Sequence, residues 1–501
     1  MTPDEFRRRG REMVEFVARY WESLESVPLN PASTGAIGPG DVAKSFPAKA
    51  PESPGGTHDW DRLLADITEK VMPGLTHWQS PQFYGYFPCN ASFPAMLAEL
   101  LAAGLGQQGM LWSTSPACTE LETRVLDWMA ELLDLPAAMR STGTGGGVIH
   151  TTASEATLTA MVAARDRARR ALRAAGDPRA PAPHFTLYTS TQAHSSVIKA
   201  AMVAGLADSP EDRTHLRLVD VDSNQRLDPA HLARLINDDV QAGRVPFFVS
   251  ATMGTTGTTA IDPLDEVAQA CSLSSGRSPE PNNPVPRPWL HCDAAHAGAC
   301  LICPEHRWMA RGLSRFDSFC FNPHKWLLTN FDCDLFYVAD RRALIDAMSI
   351  TPEYLRNAAS DAGRVFDYRD WQVPLGRRFR ALKLWFVLRH YGAEGLRGYV
   401  REHIRLAALV ESWIREDPRF ELAAERTCNL VCFRLRAGDE ATKRLMDTLN
   451  ASGCLFLSHT ALDTPDGKRF VIRMAIGATT TQEQHVRQAW EWVREAADGL
   501  E

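Results

Sequence analysis

The 501-residue chain contains no apolar run long enough to cross a bilayer, which leaves no place for a membrane-spanning helix. Near its start it carries Glu5, Arg7, Arg8, Arg9 and Arg11 and no signal-type apolar region, so a cytoplasmic protein is expected. It also has little charge of either sign in excess. With 54 Lys and Arg against 61 Asp and Glu, the net charge of −7 supplies no basic field for nucleic acid. Eleven cysteines form an odd set scattered through apolar segments such as Leu430-Val431-Cys432-Phe433, which favours buried free thiols over a disulfide framework. The glycine run Gly143-Thr144-Gly145-Gly146-Gly147 is not followed by Gly-Lys-Ser/Thr and has no third glycine in dinucleotide spacing, which excludes both nucleotide fingerprints. No internal repeat is evident. What remains is a composition that is 45% apolar and 23% charged, that of a globular protein large enough for more than one domain.

Residues 4 to 24 set Phe6, Met13, Phe16, Val17, Tyr20 and Trp21 at helical spacing among arginines, predicting an amphipathic helix with little core nearby and a face suited to another subunit. A Pro-rich connector follows, then helices from near Asp59 to before Pro73, over 93–105 and over 116–135. From 185 onward strands and helices alternate. Strands are expected at Phe185–Ser190, Leu216–Val221, Pro246–Thr252, Trp289–Asp293, Ser318–Phe321 and Leu335–Ala339, with helices at Ser195–Ala204, from Pro229 behind an Asp228 cap, and at Pro263–Cys271. Such alternation implies right-handed crossovers and a mainly parallel sheet, whose ligands sit at strand carboxyl ends. Residues 272–288 and 351–370 read as loops, the latter a possible lid. After about Tyr391 an α+β pattern begins, with long helices near 396–415 and 481–498, a shorter one at 439–449, and strands at Leu430–Leu435 and Phe470–Ile476.

Several residues at these junctions can carry chemistry, and each has a plainer reading. Lys325, in Asn322-Pro323-His324-Lys325-Trp326, follows a buried strand among Phe321, Trp326, Leu327 and Leu328. It is either a lysine that snorkels to solvent or a desolvated amine able to add to a carbonyl. Asp293 ends an apolar strand, as a buried carboxylate held by backbone amides or as the partner of a cation such as a protonated pyridine nitrogen. His194 is a structural histidine or a flat group over a ring, and Thr255 and Thr256 are turn residues or hydroxyl donors. Thr152, Ala153 and Ser154 precede a helix predicted from Glu155 to about Ala175, with Ser154 the N-cap candidate; the turn is a simple cap or an anion site. Ser80 to Pro88, rich in aromatics, is core or a loop that presents flat side chains to an aromatic ligand. Together an amine, an acid, an anion site and a ring-stacking group match the needs of pyridoxal 5'-phosphate. A metal reading from His291, Cys292, His296, Cys300 and Cys303 has the weaker spacing, with one Cys-x-x-Cys and no second pair.

Nearly end to end, the chain resembles the group II pyridoxal-phosphate-dependent decarboxylases of the aromatic-L-amino-acid decarboxylase family. The likeness runs from Phe6-Arg7-Arg8-Arg9-Gly10 through Ser115-Pro116-Ala117-Cys118-Thr119-Glu120-Leu121-Glu122 to Phe379-Arg380-Ala381-Leu382-Lys383, and is most specific in Asn322 to Lys325 followed by Phe331-Asp332-Cys333. The resemblance implies an α/β fold of type I. A helical, dimer-packing segment would cover 1–85, a large domain with a mainly parallel seven-stranded sheet 86–390, and a small α+β domain 391–501. It also implies a homodimer that decarboxylates an aromatic L-amino acid to an arylalkylamine, with an aromatic acetaldehyde synthase as the alternative. Carried over residue by residue, Lys325 becomes the cofactor lysine, Asp293 the partner of the ring nitrogen and His194 the stacked histidine, with Ala295 on the other ring face. Ala153, Ser154, Asn322 and His324 would surround the phosphate, with Thr256 nearby. Tyr354 would be the proton donor that separates decarboxylation from aldehyde synthesis. Tyr86, Phe87, Pro88, Met110 and Gly376 would line the substrate pocket, the glycine leaving room for a bulky ring. Met110 and Leu111 in place of a Phe-Ser pair, Cys89 in place of threonine and His296 in place of tyrosine depart from common members and shift the expected substrate toward tryptophan or phenylalanine.

Overall fold

Seven short strands pair into one sheet. They are β1 (Gly146–His150), β2 (Phe185–Ser190), β3 (Leu216–Val219), β4 (Val245–Thr252), β5 (Trp289–Asp293), β6 (Ser318–Phe321) and β7 (Asp334–Val338), in the order β1-β7-β6-β5-β4-β2-β3. The structure, a computed structural model, describes residues 1–53, 59–177, 179–274, 286–350, 364–464 and 467–500. Strands β6, β5, β4, β2 and β3 run parallel, and β7 runs antiparallel to both β6 and β1. The sheet is therefore mainly parallel, with one reversed strand inserted beside the edge strand β1. Every residue of β1, β2, β4, β5, β6 and β7 is buried, as expected when helices cover both faces of a parallel sheet.

The Ala153–Ala174 helix covers one of those faces. Its buried side is mostly alanine, with Ala153, Ala156, Ala160, Ala163, Ala164 and Ala168 in a row, so backbone and sheet approach closely. Asp228 caps the Pro229–Gln241 helix as expected, accepting from the Ala230 N–H at 2.8 Å. The chain divides into two compact units. Unit 2, Cys89–Ile404 with Ala424–Leu430, holds the seven-stranded sheet; unit 1 joins Met1–Pro88 to Arg405–Ala423 and Val431–Glu501. Within unit 1 lies the Pro3–Glu22 helix, opened by a capping box between Thr2 and Glu5. A four-stranded sheet adds β8 (Phe420–Leu422), β9 (Leu430–Leu435), β10 (Ser458–Thr464) and β11 (Gly467–Ala475), in the order β10-β11-β9-β8.

Three expectations change. The helix predicted near 396–415 begins at Ala381 and runs to Glu416, turning at Gly392, whose φ of 61° is left-handed. Strand β1 arises from a glycine run that carries no strand signal, and β10 was not anticipated at all. Finally, the helix after β1 starts at Ala153, so its N-cap is Thr152 and Ser154 is already the second helical residue.

Candidate active site

Strand direction gathers the chemistry at one edge. The carboxyl ends of β1, β2, β4, β5 and β6 share it, and reversed β7 brings its amino end there too. Asp293 of β5 pairs with Cys320 of β6, Cys320 with Phe336 of β7, and Asp334 of β7 with His150 of β1. By strand alternation these side chains point to one face, and the His150 and Phe336 rings do stack at 5.1 Å.

After β6 ends, Asn322 is extended and Pro323 opens a single helical turn, Pro323–Trp326, that carries half-buried Lys325 off the strand end. Its shoulders are held on three sides. The Asn322 N–H donates to the Ala295 carbonyl at 3.0 Å, and the Asn90 N–H donates to the His324 carbonyl at 2.8 Å. The Asn90 side-chain oxygen accepts from the Leu328 N–H at 3.1 Å and the Tyr399 hydroxyl at 2.9 Å. Buried Trp326 stacks on His296 at 5.0 Å and lies parallel to His403, to which its indole N–H donates at 2.9 Å. These supports keep the turn, and hence the lysine stem, in one place.

Asp293 is buried and accepts the Ala295 N–H at 3.0 Å through Oδ1. One alanine thus ties the aspartate to the lysine turn, since its carbonyl holds Asn322. His194 leaves the sheet after β2 and is open to solvent on one side. Its Nδ1 accepts the Ser196 N–H at 3.1 Å and lies 2.8 Å from the Ser196 hydroxyl, which fixes the ring. Partial desolvation lowers its pKa, while Asp293 draws it up and Lys325 pushes it down, so the ring feels both charges. His324 is buried, its Nδ1 2.8 Å from the Cys333 carbonyl; burial first and Lys325 second bring its pKa to about 3, and it is neutral.

The remaining predicted residues fall as follows. Ala153 is buried and Ser154 exposed at the start of their helix, where no side chain caps the free amides. Thr256 is half-buried in a turn that Thr255 closes by accepting the Ala260 N–H at 3.1 Å. Met110 is half-buried and Gly376 exposed on two segments that lie together, because the Gly109 N–H donates to the Arg377 carbonyl at 3.1 Å and the Arg377 N–H to Gln108 at 2.6 Å. A Cβ on Gly376 would approach the Gln108 amide to 3.2 Å. Tyr86, Phe87 and Pro88 belong to unit 1, where Tyr86 stacks on Trp78 at 5.6 Å and the Arg473 guanidinium lies 5.1 Å over Phe87. Tyr354 lies outside the described residues. The residues of the metal reading do not converge: Cys300 Sγ is 3.5 Å from Cys428 Sγ, Cys303 Sγ faces the Arg397 carbonyl, and His296 Nε2 bonds Asn429. A cavity of about 1110 Å³ opens beside Thr142–Thr144 and Asp340–Arg342, before β1 and after β7, and so at the opposite sheet edge.

An amine, a buried carboxylate, uncapped helix amides and a fixed imidazole at one edge suit a phosphorylated pyridine aldehyde. Asn322 is compatible with this: its buried side-chain oxygen has no partner among the described residues and leaves a polar position open at the turn. The pyridoxal-dependent decarboxylase conserved domain matches residues 39–436. The chain belongs to that family. Its cofactor is pyridoxal 5'-phosphate, its fold is type I, and its class is carboxy-lyase. The chain is 44% identical to the phenylacetaldehyde synthase of Arabidopsis thaliana over all of its length and 97% of the relative's, and 41% identical to the aromatic-L-amino-acid decarboxylase of Rattus norvegicus over all of its length and 99% of the relative's. The crystal structure of Oryza sativa TDC with PLP and tryptamine superposes with a TM-score of 0.91 at 38% identity, covering 100% of this chain and 99% of that one. Sequence reasoning missed the supports of this decarboxylase: Asn90, Tyr399 and His403 around the lysine turn, and His150 and Asp334 below it. Only strand register, which is not written in any local pattern, brings the last two together.

Proposed function

We propose that this decarboxylase removes the carboxyl group of an aromatic L-amino acid of the tryptophan, phenylalanine or DOPA/5-hydroxytryptophan type, releasing the arylalkylamine and carbon dioxide. The observation that carries the reading is the edge cluster itself, in which Lys325 and Asp293 both act on the His194 ring and one residue, Ala295, binds the Asp293 carboxylate through its N–H and the Asn322 N–H at the start of the lysine turn through its carbonyl. Relatives that span the whole chain and are named for aromatic amino-acid chemistry support it. When bound, pyridoxal 5'-phosphate supplies the electron sink for the pair left at Cα as the carboxyl departs. Lys325 would hold its aldehyde carbon until the substrate amine takes over. With Oδ1 engaged by the Ala295 N–H, Asp293 would hold a proton at the ring nitrogen through its other oxygen. His194, fixed by Ser196, would cover one ring face and Ala295 the other, while Ala153, Ser154, Asn322 and His324 would receive the phosphate, with Thr256 beside them. Tyr354 would return a proton to Cα, and Tyr86, Phe87, Pro88, Met110 and Gly376 would shape the room for the aromatic ring.

The chain would be organised as a dimer-packing segment over 1–85, a large domain over 86–390 and a small one over 391–501. Exposed Phe93, Leu97, Leu100, Leu101 and Leu105 on one helix, and Phe6 and Val14 on the first, support a homodimer. Eleven free cysteines, nine of them buried, suit a reducing compartment such as the cytoplasm. The second reading is an aromatic acetaldehyde synthase, favoured by the 44% identity to a protein of that name. Tyrosine at 354 favours the first. The test is product analysis with tryptophan, phenylalanine, tyrosine, DOPA and histidine in parallel, with peroxide monitored. We expect amine without stoichiometric peroxide from an aromatic substrate, and a shift to aldehyde in Tyr354→Phe. Aldehyde and peroxide from the unaltered enzyme would make the second reading the right one.

A further inference from the structure

Met110 and Gly376, both placed above beside the aromatic ring of the substrate, lie on two segments that are stitched together. The Gly109 N–H donates to the Arg377 carbonyl at 3.1 Å, the Arg369 N–H to the Met110 carbonyl at 3.1 Å, and the Thr114 hydroxyl to the Gln108 carbonyl at 2.9 Å. The second segment is in turn fastened to the end of β1. The Trp371 carbonyl lies 3.0 Å from His150 Nε2, and the buried Arg377 guanidinium pairs with Glu122, which accepts the Ile149 N–H at 2.8 Å. Ile149 and His150 close β1 at the sheet edge that also holds Asp293, the lysine turn and the Thr152–Ser154 turn. Both segments therefore stand at the reactive edge with little freedom of their own.

Gln108 sits on the first of them. Its Oε1 accepts the Arg377 N–H at 2.6 Å. Of the two ends of an amide the oxygen alone can accept, so this bond fixes the orientation of the group and turns Nε2, with its two hydrogens, the other way. Nε2 makes no hydrogen bond among the described residues. It faces the place of the missing side chain at 376: a Cβ there would lie 3.2 Å from Nε2 and 4.0 Å from Oε1. Any larger residue at 376 would crowd that nitrogen. Glycine thus leaves room for a ring and, in the same stroke, leaves an unused donor facing the room. Met110 and Leu111, next along the chain, have no polar hydrogen in their side chains.

We propose that Gln108 is a specificity-determining residue, which selects aromatic amino acids bearing a hydroxyl on the ring by donating a hydrogen bond from Nε2 to that oxygen across the space kept by Gly376. The inference rests on the reading that Gly376 borders the substrate ring. A ring hydroxyl offers a lone pair in the plane of the ring, which a bare phenyl or indole does not. A bare ring in the same place would strip water from Nε2 and return nothing, so it is also penalised. The bond lies at the ring and away from the reacting carbon, the same in bound substrate and transition state, so it acts through KM rather than kcat. Among the substrate types proposed above, selection falls on 5-hydroxytryptophan and the phenols over tryptophan and phenylalanine, against the direction that Met110 and Leu111 suggest.

The test is the kcat/KM of the holoenzyme for 5-hydroxytryptophan against tryptophan and for tyrosine against phenylalanine, in the parent, Gln108→Leu and Gln108→Glu. The hydroxylated member of at least one pair should lead in the parent by about fivefold or more, as a neutral hydrogen bond allows, and in Gln108→Leu that lead should shrink below about twofold through KM. A parent without the lead, or a lead that Gln108→Leu keeps, overturns the proposal, and so does a change confined to kcat. Gln108→Glu keeps an acceptor for the Arg377 N–H and exchanges the donor for a second acceptor; it also serves should the leucine variant fail to fold. A hydroxyl can donate to that carboxylate, whereas a methoxy oxygen can only accept. In Gln108→Glu, 5-methoxytryptophan should therefore lose about fivefold or more against 5-hydroxytryptophan relative to the parent. An unchanged ratio overturns Nε2 as the donor. Failure of the underlying reading would look different: the parent would consume none of these amino acids, or Gly376→Ala, which fills the space beside the ring, would leave the KM for tryptophan where it was. Either result removes the proposal as well.

Discussion

At the scale of single residues, the site works by taking freedom away from one long side chain. Lysine has four rotatable bonds, and a flexible amine spends little time where a carbonyl carbon can meet it. Here the backbone on either side of Lys325 is pinned by Ala295 and Asn90, and the following residue, Trp326, is locked between two histidines. On the role proposed for its amine, Lys325→Ala should lose the visible absorbance of bound cofactor in the purified protein and reduce turnover by at least about a thousandfold. Full-strength absorbance in the variant, attached elsewhere, would remove Lys325 from that role. The places of Lys325, Asp293 and His194 at strand ends were legible in the sequence because each stands inside an unusual local run. Asn90, His150 and Asp334 were not, because their meaning lies in partners roughly 180 to 310 residues away in the chain, which no short window holds.

At the scale of elements, apolar strands bounded by turn residues were readable to within a residue or two: β2, β5, β6 and β9 occur where Phe185–Ser190, Trp289–Asp293, Ser318–Phe321 and Leu430–Leu435 were expected. Strand β1 was not, since its first residues are glycines selected for space rather than for strand propensity. A Cβ on Gly147 would come within 2.8 Å of the Tyr337 ring, and one on Gly145 would run into the carbonyl oxygens of Val338 and Ala138. The run that resembles a phosphate loop in one dimension is a close-packed seam in three. We therefore expect Gly145→Ala to lower stability by about 2 kcal/mol or more, seen as a reduced denaturant midpoint with an unchanged slope. A midpoint equal to the parent's would mean that the seam yields. Strand β10 escaped notice for another reason, because its alternate residues His459, Ala461 and Asp463 are exposed and its pattern is weak. The N-cap was misplaced by two residues, at Ser154 rather than Thr152, because several small hydroxyl residues stand together at 151–154 and any of them could cap.

At the scale of the whole molecule, buried histidines set the response to acid. His150, His291 and His403 have folded-state pKa values near about 4 and His324 about 3, in each case chiefly through burial, against about 6.5 for an unfolded chain. Between those limits the unfolded state binds more protons, so each histidine makes stability rise with pH and fall on acidification. Three carboxyls act in the opposite sense. Asp262, raised to about 6 by burial, Asp334, raised well above its ordinary value, and Asp370, raised by burial, keep protons in the folded state that the unfolded state has released. Seven histidines, with His77, His194 and His306 shifted the same way as the four, outweigh these three carboxyls. The denaturant midpoint of the apoenzyme should therefore fall between pH 7 and pH 5; a midpoint that stays level or rises would show that the carboxyls dominate. Strand order has a further result, one that concerns how the molecule comes into being. Edge strand β1 is joined to the sheet by β7 alone, Gly146 pairing with Val338, so on the ribosome it must wait for nearly two hundred more residues before it has a place to bind. The turn at Thr152–Ser154 hangs from that strand. A nascent chain thus assembles most of its central sheet before the edge that carries this turn can close.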